Sequence, residues 1–219
     1  CQIINPNMKN LFLFLVILMG VSNMAFCQNK QLEKQRSKMY KAKIKEYKKE
    51  GWKLDSSSKT IEVVLLEHYE KLKDENNQEI VGTTSNCRSV NVCRQVAYNN
   101  AITTYASLAA SYVKGRTASD VNLNSSDKDD TAEFDKFYAA YERVIGSEIK
   151  NGVLKESYSI KRKKGDINEY QIVFLVNEDK ALLARKKAMQ RALEESQLAQ
   201  KYANEISRFV NEGVENLNQ

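Results

Sequence analysis

The chain of 219 residues contains one histidine, His68, in the stretch "TIEVVLLEHYEKLK". A histidine base needs a nucleophile presented beside it. No Gly-x-Ser-x-Gly elbow is present to supply one. Ile61, Leu65, His68 and Leu72 follow one another at spacings of four, three and four. That places His68 on an apolar helix face, where it reads as a structural residue. Glu67, Glu70 and the neighbours Glu194 and Glu195 are the carboxylates worth testing for acid–base work. Glycoside hydrolysis needs two carboxylates facing each other across a cleft. Neighbours on one helix do not show that, and these four read as solvated. The glycines fall singly along the chain, so no phosphate-cradling loop is formed.

Two cysteines, Cys87 and Cys93, lie in "NCRSVNVCRQ". A disulfide between them would require Cys87 to lie outside the helix that holds Cys93, because an offset of six does not stack side chains on one helix face. The alternative is two free thiols. Two cysteines and His68 do not complete a four-ligand zinc site. "SSDKDD" at 125–130 lacks the glycine and the distal glutamate of a calcium loop. No catalytic, metal-binding or cofactor-binding residue is therefore expected, and the reading is not an enzyme. "DTA" at Asp130–Ala132 resembles the Asp-Ser/Thr-aliphatic acceptor of bacterial O-glycosylation, with Thr131 as the acceptor. Thr131 must then be exposed.

The start of the chain fixes the compartment. Lys9 precedes an apolar run of eleven residues, Leu11 to Val21. A membrane-spanning helix needs roughly 20. The run is followed by Ala25-Phe26-Cys27 and reads as a secretory signal peptide over 8–27, with 1–7 as upstream translation. Small residues at Ala25 and Cys27 suit cleavage after Cys27, leaving Gln28 as the new terminus. Lipidation of Cys27 is the alternative; Phe26 stands where a lipobox has a small residue. Cleavage is the favoured reading, and the protein is expected to be exported, to the periplasm or the outer membrane.

Charge is unevenly distributed. Residues 28–53 hold ten Lys/Arg and three Glu, whereas 54–219 hold 23 basic and 25 acidic residues. The basic character belongs to the leading segment, "KQLEKQRSKMYKAKIKEYKK", read as a solvated helix. Lys38, Lys41, Lys43, Lys45, Lys48 and Lys49 are its candidate contacts with an anionic surface, lipid or polysaccharide. Clustered lysines also neutralise phosphates of nucleic acid, but export argues against that partner.

The elements that must position these residues follow from periodicity. Trp52 to Leu54 suits a short strand, and Ser58 an N-cap for the His68 helix. "QEIVGTTSN" reads as a strand. From Arg88 a helix runs to Lys114, with Val92, Val96, Ile102, Tyr105, Ala109 and Val113 as its apolar face, and Gly115 as its stop. Its alanines allow close packing. A polar loop, 116–130, leads to a helix capped near Asp129–Thr131. That helix carries Phe134, Phe137, Tyr138, Tyr141, Val144, Ile145 and Ile149, an aromatic stripe read as core, and Gly152 ends it. "LKESYSIKRKKGDINEYQIVFLVN" alternates in period two around a turn at Lys163–Asp166, the clearest hairpin in the chain. Its second strand is apolar on both faces and is placed centrally. One long helix then closes the chain, with Leu182, Met189, Leu193, Ser196, Ala203, Val210 and Val214 as a nearly heptad stripe open to self-pairing. The fold class is α+β: a small antiparallel sheet with a C-terminal hairpin, packed by several helices and a long C-terminal one. The organisation is a basic helical segment, 28–53, and a single domain, 54–219.

The helix "VCRQVAYNNAITTYASLAASYVKGR", the helix "EFDKFYAAYERVIGSEIKNG", the hairpin and "LLARKKAMQRALEES" resemble exported proteins of unknown function from Bacteroides-type bacteria. More distantly, the Ala-rich helix followed by a tyrosine-bearing hairpin is similar to lipoprotein-20-type envelope proteins. The resemblance implies an envelope-associated α+β domain. The expected function is a non-catalytic binding or structural module with an envelope protein or anionic surface as partner. The alternatives are an envelope-polymer hydrolase using Asp/Glu residues and a nucleic-acid binder.

Overall fold

The computed structural model describes residues 31–120 and 128–212. The signal segment at 8–27 and the candidate lipidation residue Cys27 lie outside the described residues. The chain divides into two compact units, the first ending at Glu50 and the second beginning at Gly51.

In the first unit, helix α1 occupies 31–50. The second unit runs β1 (Lys53–Leu54), α2 (Ile61–Lys71), β2 (Asn77–Cys87), α3 (Val90–Asp120), α4 (Lys128–Lys150), β3 (Leu154–Lys164), β4 (Ile167–Asn177), α5 (Glu178–Leu193), α6 (Gln197–Lys201) and α7 (Ala203–Glu212). The four strands form one antiparallel sheet in the order β1-β3-β4-β2. The α+β class, the hairpin and the central position of β4 are as the alternation pattern indicates. The hairpin closes on Gly165 and Asp166, and Gly165 takes φ 63°, where glycine carries no steric cost.

The sheet is covered on both faces. Tyr170, Ile172 and Phe174 of β4 share one face and pack with Cys93, Ala97 and Ala101 of α3. Behind α3, the helices α4, α5, α6 and α7 complete a core that includes Phe137, Tyr141, Ile145, Ala188 and Ile206. The aromatic stripe of α4 is thus core. On the opposite face, Val173 and Leu175 are buried, and α2 approaches through buried Val64, Leu65 and His68.

Local expectations are corrected at five places. The N-cap of α2 is Thr60, whose side chain accepts from the Val63 N–H, not Ser58. In α3, Val92 and Val96 are exposed, and Cys93, Ala97 and Ala101 face the sheet instead. Small residues win this face because the helix must cross the sheet at Gly82, where there is room for nothing larger. Gly115 does not stop α3, which continues to Asp120. The added turn is held by Arg116, paired with Asp120 and Glu212, and by Thr117, whose hydroxyl donates to Val113 O. The expected loop 116–130 is helical at both ends, since α4 already starts at Lys128.

The long closing helix is divided into three. Ser196 is extended (φ −144°, ψ 113°) and caps α6, accepting from the Ala199 N–H. The break lets α7 fold back against α3 and α5. The buried stripe of α5 is Ala181, Ala184, Arg185, Ala188 and Ala192 rather than a heptad of larger side chains, while Met189 and Leu193 pack at its margin. Leu182, Met189, Leu193, Ser196, Ala203 and Val210, read as one seam, are thus divided among α5, α7 and the connection at Ser196, and Val214 lies outside the described residues.

Candidate functional site

The lysines of α1 are sorted by helical phase. Lys34, Lys38, Lys41, Lys45 and Lys48 recur at spacings of four and three, and all are exposed. At 100° per residue these five and Lys49 fall within an arc of about 100°, along about 22 Å of helix. The other phase carries the half-buried Arg36, Tyr40, Lys43 and Ile44. Lys43 therefore leaves the predicted contact set. It is paired with Glu46 at 3.1 Å and stands 4.9 Å over the Tyr47 ring. The remaining five predicted contacts share one solvent-facing stripe.

Cys87 closes β2 and Cys93 lies in the first turn of α3, so the condition for a bridge is met. The two are joined by a disulfide with a Cα–Cα distance of 5.6 Å. Thr131 is exposed near the start of α4.

The predicted carboxylates fall in two places, Glu67 and Glu70 on α2 and Glu194 and Glu195 just after α5. Glu194 and Glu195 line an open hollow of about 560 Å³ with Asp130 and Glu133. Two of the four are already engaged, Glu195 with Arg143 at 2.6 Å and Glu133 with Lys136 at 2.5 Å. Among the described residues, no group of three or more His, Cys, Asp or Glu side chains is placed to hold a metal ion.

A network that sequence reasoning missed lies where β1, β3, β4 and α3 meet. Asp55 receives Lys161 Nζ at 2.6 Å on one oxygen and the Tyr170 hydroxyl at 2.5 Å on the other. Arg94 donates to the Tyr170 oxygen at 3.0 Å and to Glu156 at 2.5 Å. Burial pushes the Asp55 carboxyl up, but hydrogen bonds from Lys161 and Tyr170 and the charges of Lys161 and Arg94 outweigh it. Its pKa falls below the ordinary carboxylate value. Burial and the bond to Asp55 raise the Tyr170 phenol. A cleft of about 310 Å³ adjoins this network, lined by Asp55, Ser56, Lys59, Glu67, Glu156 and Ser157 among others. Ser56 holds φ 55°, a left-handed conformation uncommon outside glycine. The Lys59 ammonium, bonded to Glu67, holds that carboxyl low.

His68 is tied to Ser157, a residue of the same cleft wall. Its Nδ1 lies 2.9 Å from Ser157 Oγ and its Nε2 lies 2.6 Å from Glu79. Ser157 reaches it because β3 bulges between Glu156 and Tyr158. A bulge turns two successive residues toward one side of the sheet. In the neutral tautomer that donates Nε2–H to Glu79, Nδ1 accepts a hydrogen bond from the Ser157 hydroxyl. The connectivity is that of a nucleophile, base and carboxylate. The surroundings are reversed, however: the His68 side chain is fully buried, flanked by Tyr69 and Tyr158, while Glu79 is 39% exposed. A relay needs a shielded carboxylate and an accessible base. This trio clasps α2 to β2 and β3.

No protein-family model, no curated protein and no solved structure matches the chain. No helix among the described residues is long and apolar enough to cross a membrane.

Proposed function

We propose that the protein is a non-catalytic binding module of the bacterial cell envelope, exported through its leading segment, with α1 engaging an anionic surface. The observation that carries this reading is the lysine stripe of α1. The exposed Lys34, Lys38, Lys41, Lys45 and Lys48, at three- and four-residue spacing, make a linear array suited to anionic headgroups or polysaccharide. An amphipathic basic helix of this kind lies along a charged surface rather than crossing it. The second unit supplies the folded body. Its polar networks are spent on holding elements together, as the engagement of Asp55, His68 and Glu79 illustrates.

Replacing Lys38, Lys41, Lys45, Lys48 and Lys49 by glutamine in the full chain tests the reading. Release of the variant from envelope fractions that retain the wild type supports it; retention of both overturns it. Mass spectrometry of the N-terminus of the native protein tests export separately. A chain beginning at Gln28 is expected, and one still carrying Leu11 to Val21 contradicts it.

A further inference from the structure

The second unit has a cationic surface of its own, at the end where the β3–β4 turn meets the β2–α3 connection. In register, Lys53 of β1 stands beside Lys161 of β3, and Lys163 of β3 stands beside Asn168 of β4. Side-by-side residues of a sheet share a face, as do residues two apart. Lys53, Lys161, Lys163 and Asn168 therefore lie on the face covered further along by α3. Arg88 joins them from the connection. The Asn168 amide donates to the carbonyls of Cys87 at 3.3 Å and Arg88 at 3.0 Å. Both disulfide sulfurs sit against the Asn168 carbonyl, at 3.6 and 3.7 Å. The backbone of Arg88 is thereby fixed beside the Lys163 row.

The cations at this end separate into two kinds. Lys161 is neutralised by Asp55, and Arg162 by Glu169, with its guanidinium 4.4 Å from the Trp52 ring. Lys53, Arg88 and Lys163 are exposed, and among the described residues none of them takes part in an ion pair. Of the acidic residues at this end, Asp55 and Glu169 are taken by Lys161 and Arg162, and Asp166 is exposed in the turn, three residues from Lys163. None of the clefts lined by Asp55, Glu156 or Glu194 includes these three cations. Exposed cations spread over a surface suit an array of phosphates better than a single small molecule.

We infer that Lys53, Arg88 and Lys163 form a second anion-contacting surface, held in shape by the Cys87–Cys93 disulfide and Asn168, that meets the phosphate-bearing headgroups of an anionic lipid surface. The inference rests on the reading of an anionic partner given above, but on different residues. Each cation near an anionic membrane contributes about fivefold in affinity.

The test is co-sedimentation of the full chain with phosphatidylglycerol vesicles, phosphatidylcholine vesicles serving as the control. The K53Q/R88Q/K163Q variant is expected to bind about 100-fold more weakly than wild type, with an unchanged melting curve. Binding equal to wild type overturns the inference. If this triple variant is weakened while the α1 stripe variant binds normally, the second surface stands and the α1 reading falls. The opposite pattern does the reverse. Inorganic phosphate at millimolar concentration is expected to leave vesicle binding intact beyond the effect of matched ionic strength. Displacement by it would overturn the lipid assignment in favour of a small-anion site. Reduction of the disulfide is expected to weaken wild-type binding and to leave the triple variant unchanged. Equal wild-type binding in both redox states would overturn the role of the bridge.

Discussion

A methyl group placed on Gly82 would sit 1.9 Å from the carbonyl oxygen of Ala97 and 2.9 Å from the Ala101 side chain. This contact sets the distance between β2 and α3. It explains why the sheet-facing side of α3 is built from Cys93, Ala97 and Ala101. Gly82→Ala is expected to lower stability by about 3 kcal/mol, because the obstacle is helix backbone that cannot rotate away. Chemical denaturation measures it. A loss below about 0.5 kcal/mol would mean that α3 does not approach so closely.

Asp55 ties β1 to β3 and β4. Its carboxyl pKa is lowered in the folded state, so its stabilising contribution is complete above the ordinary value of 3.8 and is lost as pH falls through the lower folded value. Asp55→Asn is therefore expected to cost about 2 kcal/mol at pH 7, with the gap to wild type closing in acid. Denaturation midpoints at pH 7 and below pH 3 check both halves. A gap that widened in acid would contradict the assignment.

Arg185 is buried between Glu178, to which it is hydrogen-bonded, and the Tyr105 hydroxyl at 2.7 Å. Arg185→Ala leaves the half-buried Glu178 carboxylate without its partner and opens a cavity, so a loss of about 3 kcal/mol is expected. Arg185→Met with Glu178→Gln keeps volume without the unpaired charge and is expected to recover most of that loss. Thermal denaturation of the single and double variants decides whether charge or volume dominates.

The disulfide closes a short loop, with a sequence separation of six. Loop-closure entropy for so few residues stabilises by about 2 kcal/mol. Cys87→Ser/Cys93→Ser is expected to fold, with a correspondingly lower denaturation midpoint in the absence of reductant. Wild type under reducing conditions should match it.

The sheet and most helices were legible because their signals are local. Period-two alternation around Gly165 gives β3 and β4. Four-and-three spacing gives α2 and α4. What was hidden depends on distant partners. Val92 and Val96 are the larger apolar residues, but Gly82 decides which face of α3 turns inward. Gly115 is a helix stop only when nothing holds the next turn, and Arg116 reaches Glu212, nearly a hundred residues later. The break at Glu194–Ser196 has a local sign, Ser196 as an N-cap, that the continuing stripe of apolar residues outweighed. The Asp55–Tyr170–Arg94 network joins residues separated by up to 115 positions. No spacing in the sequence reports it. The lysine stripe was legible in composition, and helical phase then removed Lys43 from it.

The most direct test of the envelope-binding reading is the salt dependence of binding to anionic vesicles, compared between wild type and the chain with Lys38, Lys41, Lys45, Lys48 and Lys49 replaced by glutamine. Wild-type affinity is expected to fall steeply as salt rises and screens the charges, and the variant is expected to bind more weakly with a shallower dependence. Equal affinities and equal slopes for the two chains would contradict it.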